Sequence, residues 1–164
     1  MPFALLPLPR LALAAALACG LLAAATAGAQ PASAPAPADA ASAPVDDSLY
    51  RALGERAGLH RLVSAFVPRL VADPRIGPFF KHANQQHLQE MLELQFCRVA
   101  GGGCEYTGLP MKLAHQDMDI SVADFNALVE VLQGTMNDQG IAFATQNRLL
   151  ARLAPMHRDI VNVH

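Results

Sequence analysis

Charge is sparse in this chain, and neither sign dominates. Its 164 residues hold 12 Lys and Arg against 14 Asp and Glu, a formal net charge of −2. That excludes the basic field through which a protein grips nucleic acid. Tryptophan is missing and cysteine occurs three times, never at zinc-ligand spacing with histidine. No Ser/His/Asp set and no glycine-rich phosphate loop appear, so the common hydrolase and nucleotide-binding chemistries find no support. No segment alternates with period two for long enough to make a strand, and no internal repeat is present. Hydrophobic residues make up 52 % of the chain, but an Ala-rich front end inflates that figure. The length suits one ordinary domain with appendages.

The front end has the layout of an export signal. Met1 to Arg10 carries one positive charge, Leu11 to Ala25 is apolar, and Ala27-Gly28-Ala29 is a small-x-small cleavage site. The apolar run falls short of the ~20 residues that a membrane span needs. The expected domains are therefore a signal peptide over 1–29, a linker over 30–46 and a folded domain over 47–164. The expected location is outside the cytoplasm, in a bacterial periplasm, with no stable membrane span once the signal is cleaved. Cys19 follows Ala16-Leu17-Ala18, a weak likeness to a lipoprotein site, but apolar sequence continues past it. The linker is mostly Ala and Pro and cannot bury enough surface to order itself. An oxidising compartment permits a disulfide between Cys97 and Cys104; two free thiols are the alternative, and the sequence leaves both open.

From Ser48 onward the pattern is helical. A short lead-in ends near Gly54. Glu55 to Ala72 carries an apolar face of Leu59, Leu62, Val63, Phe66, Val67, Leu70 and Val71, interrupted by Pro68, which should kink it, and ended by Asp73-Pro74. Arg75 to Phe80 reads as a tight turn. Gln85 to Ala100 faces inward with Leu88, Met91, Leu92, Gln95, Phe96 and Val99, and Gly101-Gly102-Gly103 stops it. Ser121-x-x-Asp124 opens a further helix as a capping box, with Val122, Phe125, Leu128, Val129, Leu132 and Met136 inward. A last helix is expected over about Thr145 to Val161. Between the glycine run and Ser121, Pro110 opens a short helix that delivers His115 from an otherwise apolar face. A lone histidine on such a face is usually a satisfied core residue. Presented into an all-helical core behind a glycine-rich loop, it suggests an axial ligand to a haem iron. No Cys-x-x-Cys-His occurs, so a covalently attached haem of the cytochrome c kind is not expected.

Several pieces then coincide: Ser48-Leu49-Tyr50, Ala72-Asp73-Pro74, Phe79-Phe80, the glycine pair within Gly101 to Gly103, Tyr106-Thr107-Gly108, Met111, His115 and Leu153-Ala154-Pro155. Together they resemble the group 1 truncated haemoglobins, over Ser48 to Val161. The resemblance implies an all-α fold, a truncated globin whose two-over-two helical sandwich surrounds a b-type haem. It makes His115 the proximal ligand and Phe80 the aromatic on the haem face. Leu88, Leu92 and Phe96 would line the distal side, and Met111, Ile120, Phe125, Leu149 and Leu153 would wall the rest. It implies O2, CO or NO as ligand.

The distal side departs from the family. Where a Tyr usually follows a Phe, this chain has Phe66-Val67, and where a Gln often points at the gas, it has Leu92. Without a donor, O2 is expected to be held more weakly than in donor-bearing relatives, with CO affected less. Gln95 lies near the same face. Met91 occupies a place where some relatives carry a sixth iron ligand, so a His115/Met91 pair suited to electron transfer, with an unidentified redox partner, is an alternative. An NO-dioxygenase or peroxidase-like enzyme is another, and a relic that has lost its haem a third. His60, His157 and His164 are expected to be solvated and Tyr106 to pack in its loop, while His82, in the turn after Phe80, and His87, one residue off the inward face of its helix, are minor alternatives that could swing toward the iron.

Overall fold

The computed structural model describes residues 46–163. The expected signal peptide and nearly all of the linker, with Cys19, and also His164, lie outside the described residues. Among the described residues there is no strand, and the order is α1 (Ser48–Ala52), α2 (Glu55–Ala72), α3 (Gly77–Phe80), α4 (Gln85–Ala100), α5 (Met111–Ala114), α6 (Val122–Asp138), α7 (Phe143–Leu153), a 3-10 turn (Ala154–Met156) and α8 (His157–Ile160). No helix among them is long and apolar enough to cross a membrane.

α2 packs on α4 and α6, and α7 packs on α4 and α6 in turn. α2 supplies the largest share of the core through Leu59, Leu62, Val63, Phe66, Val67 and Leu70, all buried. Phe66 meets Phe96 of α4 with ring centroids 6.4 Å apart. Leu132, Thr135 and Met136 of α6 and Leu149 of α7 close the core, each 1 % exposed or less. Thr135 donates to the Val131 carbonyl, and the buried Gln146 amide donates to Asn137 and to the Ile141 carbonyl, both at 2.8 Å. Buried polar side chains are thus paired, as their desolvation requires.

The helix ends follow local chemistry. Asp73, before Pro74, is extended (φ −70°, ψ 124°) and stops α2. Gly101 takes φ +87° after α4, and a Cβ there would also meet the Asp46 carbonyl oxygen at 2.2 Å. Ser121 and Asp124 make the reciprocal capping box of α6. Pro68 does not break α2: it lies on the exposed side, so the Ser64 carbonyl that it deprives of a partner is near solvent.

Four expectations change. Arg75 to Phe80 is not a plain turn, because Gly77-Pro78 starts one helical turn, α3. Val122 is 46 % exposed rather than inward, since it occupies the first position of α6, where the turn has no neighbour to cover it. The last helix begins at Phe143 and is broken at Ala154, because Pro155 has no N–H to continue the ladder; the chain tightens into a 3-10 turn and restarts as α8. Asp46 already belongs to the fold: its carboxylate accepts from the Ser48 N–H at 3.1 Å and pairs with Arg152 at 3.2 Å.

Cys97 and Cys104 are joined in a disulfide, with Cα atoms 5.7 Å apart. It ties the end of α4 to the loop that leads to α5. Gly102 fits between Cys97 Sγ and the Tyr50 ring, where a Cβ would come within 2.6 Å of each.

Candidate functional site

His115 follows the single turn of α5 as its C-terminal cap rather than lying within it. The ring is half-buried. Its Nδ1 lies 2.8 Å from the Met111 carbonyl oxygen, and the His115 backbone N–H reaches the same oxygen at 3.2 Å. A carbonyl can only accept, so Nδ1 is the donor, and a neutral ring in this tautomer has its lone pair on Nε2. A hydrogen bond on the far side of a metal-binding imidazole fixes both its tautomer and its ring plane.

The loop after His115 is closed from the C-terminal tail. Asn162 Nδ2 donates to the His115 carbonyl at 2.9 Å, and its Oδ1 accepts from the Ile120 N–H at 2.6 Å. The backbone N–H groups of Asn162 and Val163 both donate to the Ile120 carbonyl, at 3.0 and 3.2 Å. Ile120 and Val161 are buried beside this ladder.

The other expected site residues divide into two groups. Phe96, Ile120 and Leu149 are buried. Phe80, Leu88, Leu92 and Leu153 are half-buried against the core, and Met111 and Phe125 are half-buried as well. Val67 is 2 % exposed and brings no donor. The Gln95 amide is engaged with Met156 Sδ at 3.2 Å. Met91 lines a groove of about 330 Å³ together with Tyr50, Arg56, Leu59, Leu94 and the disulfide. Leu88 and Leu92 do not line that groove and pack against the core.

His157 is not simply solvated. It is half-buried and stands edge-on to Phe125. His60 is 62 % exposed in its side chain, yet its Nδ1 meets Glu93 at 2.8 Å. His82 and His87 are exposed. The Tyr106 hydroxyl donates to the Leu109 carbonyl at 3.2 Å, and burial pushes its pKa up, so it stays a donor. No sequence signal marked Asn162, which lies past the last helical pattern. Phe125 and His157 are each legible in the sequence, but no local signal pairs them.

The residues present fit a haem. The His115 imidazole, its Nδ1 engaged by Met111, would offer Nε2 as the donor, and Phe80, Leu88, Leu92, Met111 and Leu153 leave apolar surface only partly covered by protein. No cluster of His, Cys, Asp and Glu among the described residues would hold a bare metal ion instead.

The helices form the two-over-two sandwich of a truncated globin. The chain belongs to the bacterial-like globin family, whose model matches residues 48–162. That membership implies a haem cofactor. The chain is 30 % identical over 95 residues to a group 1 truncated hemoglobin of Tetrahymena thermophila, covering 58 % of this chain and 78 % of that protein. It is 29 % identical to the group 1 truncated hemoglobin GlbN of Mycolicibacterium paratuberculosis, covering 69 % of this chain and 83 % of that one. The crystal structure of truncated hemoglobin from Tetrahymena pyriformis in its Fe(III) form superposes with a TM-score of 0.68 at 25 % identity, over 70 % of this chain and 97 % of that one.

Proposed function

We propose that this protein is an exported gas-binding haem protein, holding a b-type haem through His115 and taking O2, CO or NO. The observation that carries the reading is the bond from His115 Nδ1 to the Met111 carbonyl, which leaves Nε2 as a ready ligand. When bound, the haem supplies an iron with a coordination position for a diatomic gas. The chain's own residues orient the imidazole, cover the apolar faces and exclude water. Phe80, Leu88, Leu92 and Phe96 do the covering, with Met111, Ile120, Phe125, Leu149 and Leu153 around them. Val67, Leu88 and Leu92 offer no hydrogen bond, so the pocket favours CO over O2 more than a donor-bearing pocket does.

The periplasmic setting rests on the export-type front end and agrees with a disulfide between Cys97 and Cys104. The His115/Met91 electron-transfer reading has less behind it, because Met91 lines the groove beside the disulfide. The enzymatic readings, NO dioxygenase or peroxidase-like, need a separate electron donor.

Visible absorption spectra of the haem-loaded protein test the proposal, in ferric and ferrous states, with and without CO. A Soret band shifted by CO, and lost or greatly weakened in His115→Ala, is the expected result. A six-coordinate low-spin spectrum abolished by Met91→Ala would replace gas binding with electron transfer. No haem uptake by the wild type would end the reading.

A further inference from the structure

α5 is a single turn without a side-chain cap, so it is a weak platform for a ligand. The loop beyond it is costly. Asp117 and Asp119 both take left-handed backbone, at φ 59° and 53°, without being glycine. Such residues persist only where the surroundings over-determine the conformation. Here the determining group is one side chain from the far end of the domain. The Asn162 amide spans the loop, with its NH2 on the His115 carbonyl at 2.9 Å and its oxygen on the Ile120 N–H at 2.6 Å. A primary amide presents a donor and an acceptor on one rigid plane, which is what a carbonyl and an N–H at the two ends of a loop require. Its own backbone and that of Val163 hold Ile120 from the other side, and the α8 helix packs against α5.

We propose that Asn162 is the positioning residue of His115, an amide clasp that closes the 115–120 loop and so sets how the imidazole is presented. The inference rests on the reading of His115 as the haem ligand. The ring is fixed by Met111 through Nδ1, and its backbone is fixed by Asn162 through the carbonyl, so the two restraints act on different bonds of one residue. Asp in place of Asn keeps the acceptor for Ile120 and sets a carboxylate oxygen against the His115 carbonyl. Ala removes both contacts.

The test compares wild type, Asn162→Ala, Asn162→Asp and His115→Ala of the full chain. In the haem-free protein, amide hydrogen exchange at Ile120 reads the clasp alone. Exchange roughly tenfold faster in Asn162→Ala, with Asn162→Asp near wild type, is expected. In the ferrous, CO-free, haem-loaded protein, the iron–imidazole stretch in resonance Raman reads presentation of the ring. It is expected to move or broaden in both Asn162 variants, because both lose the bond to the His115 carbonyl. An unchanged stretch in both variants overturns the inference and leaves Asn162 a structural residue. Should His115→Ala retain the wild-type stretch, His115 is not the ligand, and the functional reading falls together with this one. Ile120 exchange then still tells whether the clasp exists, which separates the two failures.

Discussion

The ring of Phe125 stands edge-on to the imidazole of His157, with centroids 4.9 Å apart and planes at 79°. One comes from the first turn of α6 and the other from the start of α8, so the pair joins the helix that follows the His115 loop to one that packs on α5. Edge-to-face pairs add about 0.5–1.5 kcal/mol beyond the area they bury. Phe125→Leu should therefore cost stability of about that size. The ring protons of His157 should lose their ring-current shift in the NMR spectrum of this variant, and unchanged shifts would rule the pairing out.

Leu92→Gln should raise O2 affinity by roughly 5- to 150-fold, the value of one hydrogen bond of about 1–3 kcal/mol to a polarised ligand in an apolar pocket. CO affinity should change less. Leu92 is half-buried, and Gln is close to it in volume, so the fold should tolerate the change. Val67→Tyr sets a hydroxyl donor directly after Phe66, but in a tightly packed position. Val67 is 2 % exposed, and overpacking there should cost about 1–3 kcal/mol. Flash photolysis and gas titration of both variants check the ordering.

Reduction of the Cys97–Cys104 disulfide, or Cys97→Ser with Cys104→Ser, should destabilise the domain by about 2–3 kcal/mol, the amount expected for so short a closed loop. Differential scanning calorimetry with and without a dithiol measures it. Gly101, Gly102 and Gly103 make the reduced segment loose, so proteolysis should concentrate there. An identical melting temperature in both redox states would show the bond to be energetically idle.

Acid should weaken the fold from about pH 4 downward. Hydrogen bonds from Ser121 hold the Asp124 carboxyl below its usual 3.8, those from Arg75 do the same for Asp73, and those from Ser48 for Asp46. For a depressed carboxylate the stabilisation is complete above the unfolded value and disappears as pH falls through the folded one. A melting temperature followed from pH 7 to 3 should therefore be flat in this respect until about pH 4 and then decline. Asp124→Asn should lower the neutral plateau and make the decline shallower.

Short-range chemistry explains what could be read from the chain beforehand. Gly101 after α4, Pro74 after α2 and the Ser121/Asp124 box are decided within a few residues, and each appears where its neighbours put it. The helical faces and the two-over-two arrangement follow from apolar spacing and from the motif resemblance. Pro155 is likewise local in cause, its missing N–H breaking the last helix. What the sequence does not announce is decided across the fold. The disulfide stayed open because only a folded backbone brings two Cα atoms to 5.7 Å. Asn162 meets His115 across 47 positions, and no local pattern announces such a contact.

Arg152 donates to the Val99 carbonyl at 2.8 Å and pairs with Asp46 at 3.2 Å. At the other end, Asn162 and Val163 are bonded to Ile120. Both edges of the domain are thus anchored, whereas domain ends commonly fray. Trimming is consequently asymmetric in sequence but symmetric in effect. Shortening to Ser48 removes the carboxylate that Arg152 holds, and stopping at Val161 removes the ladder on Ile120. The smallest autonomous unit is therefore set by these two fastenings rather than by where the helices begin and end.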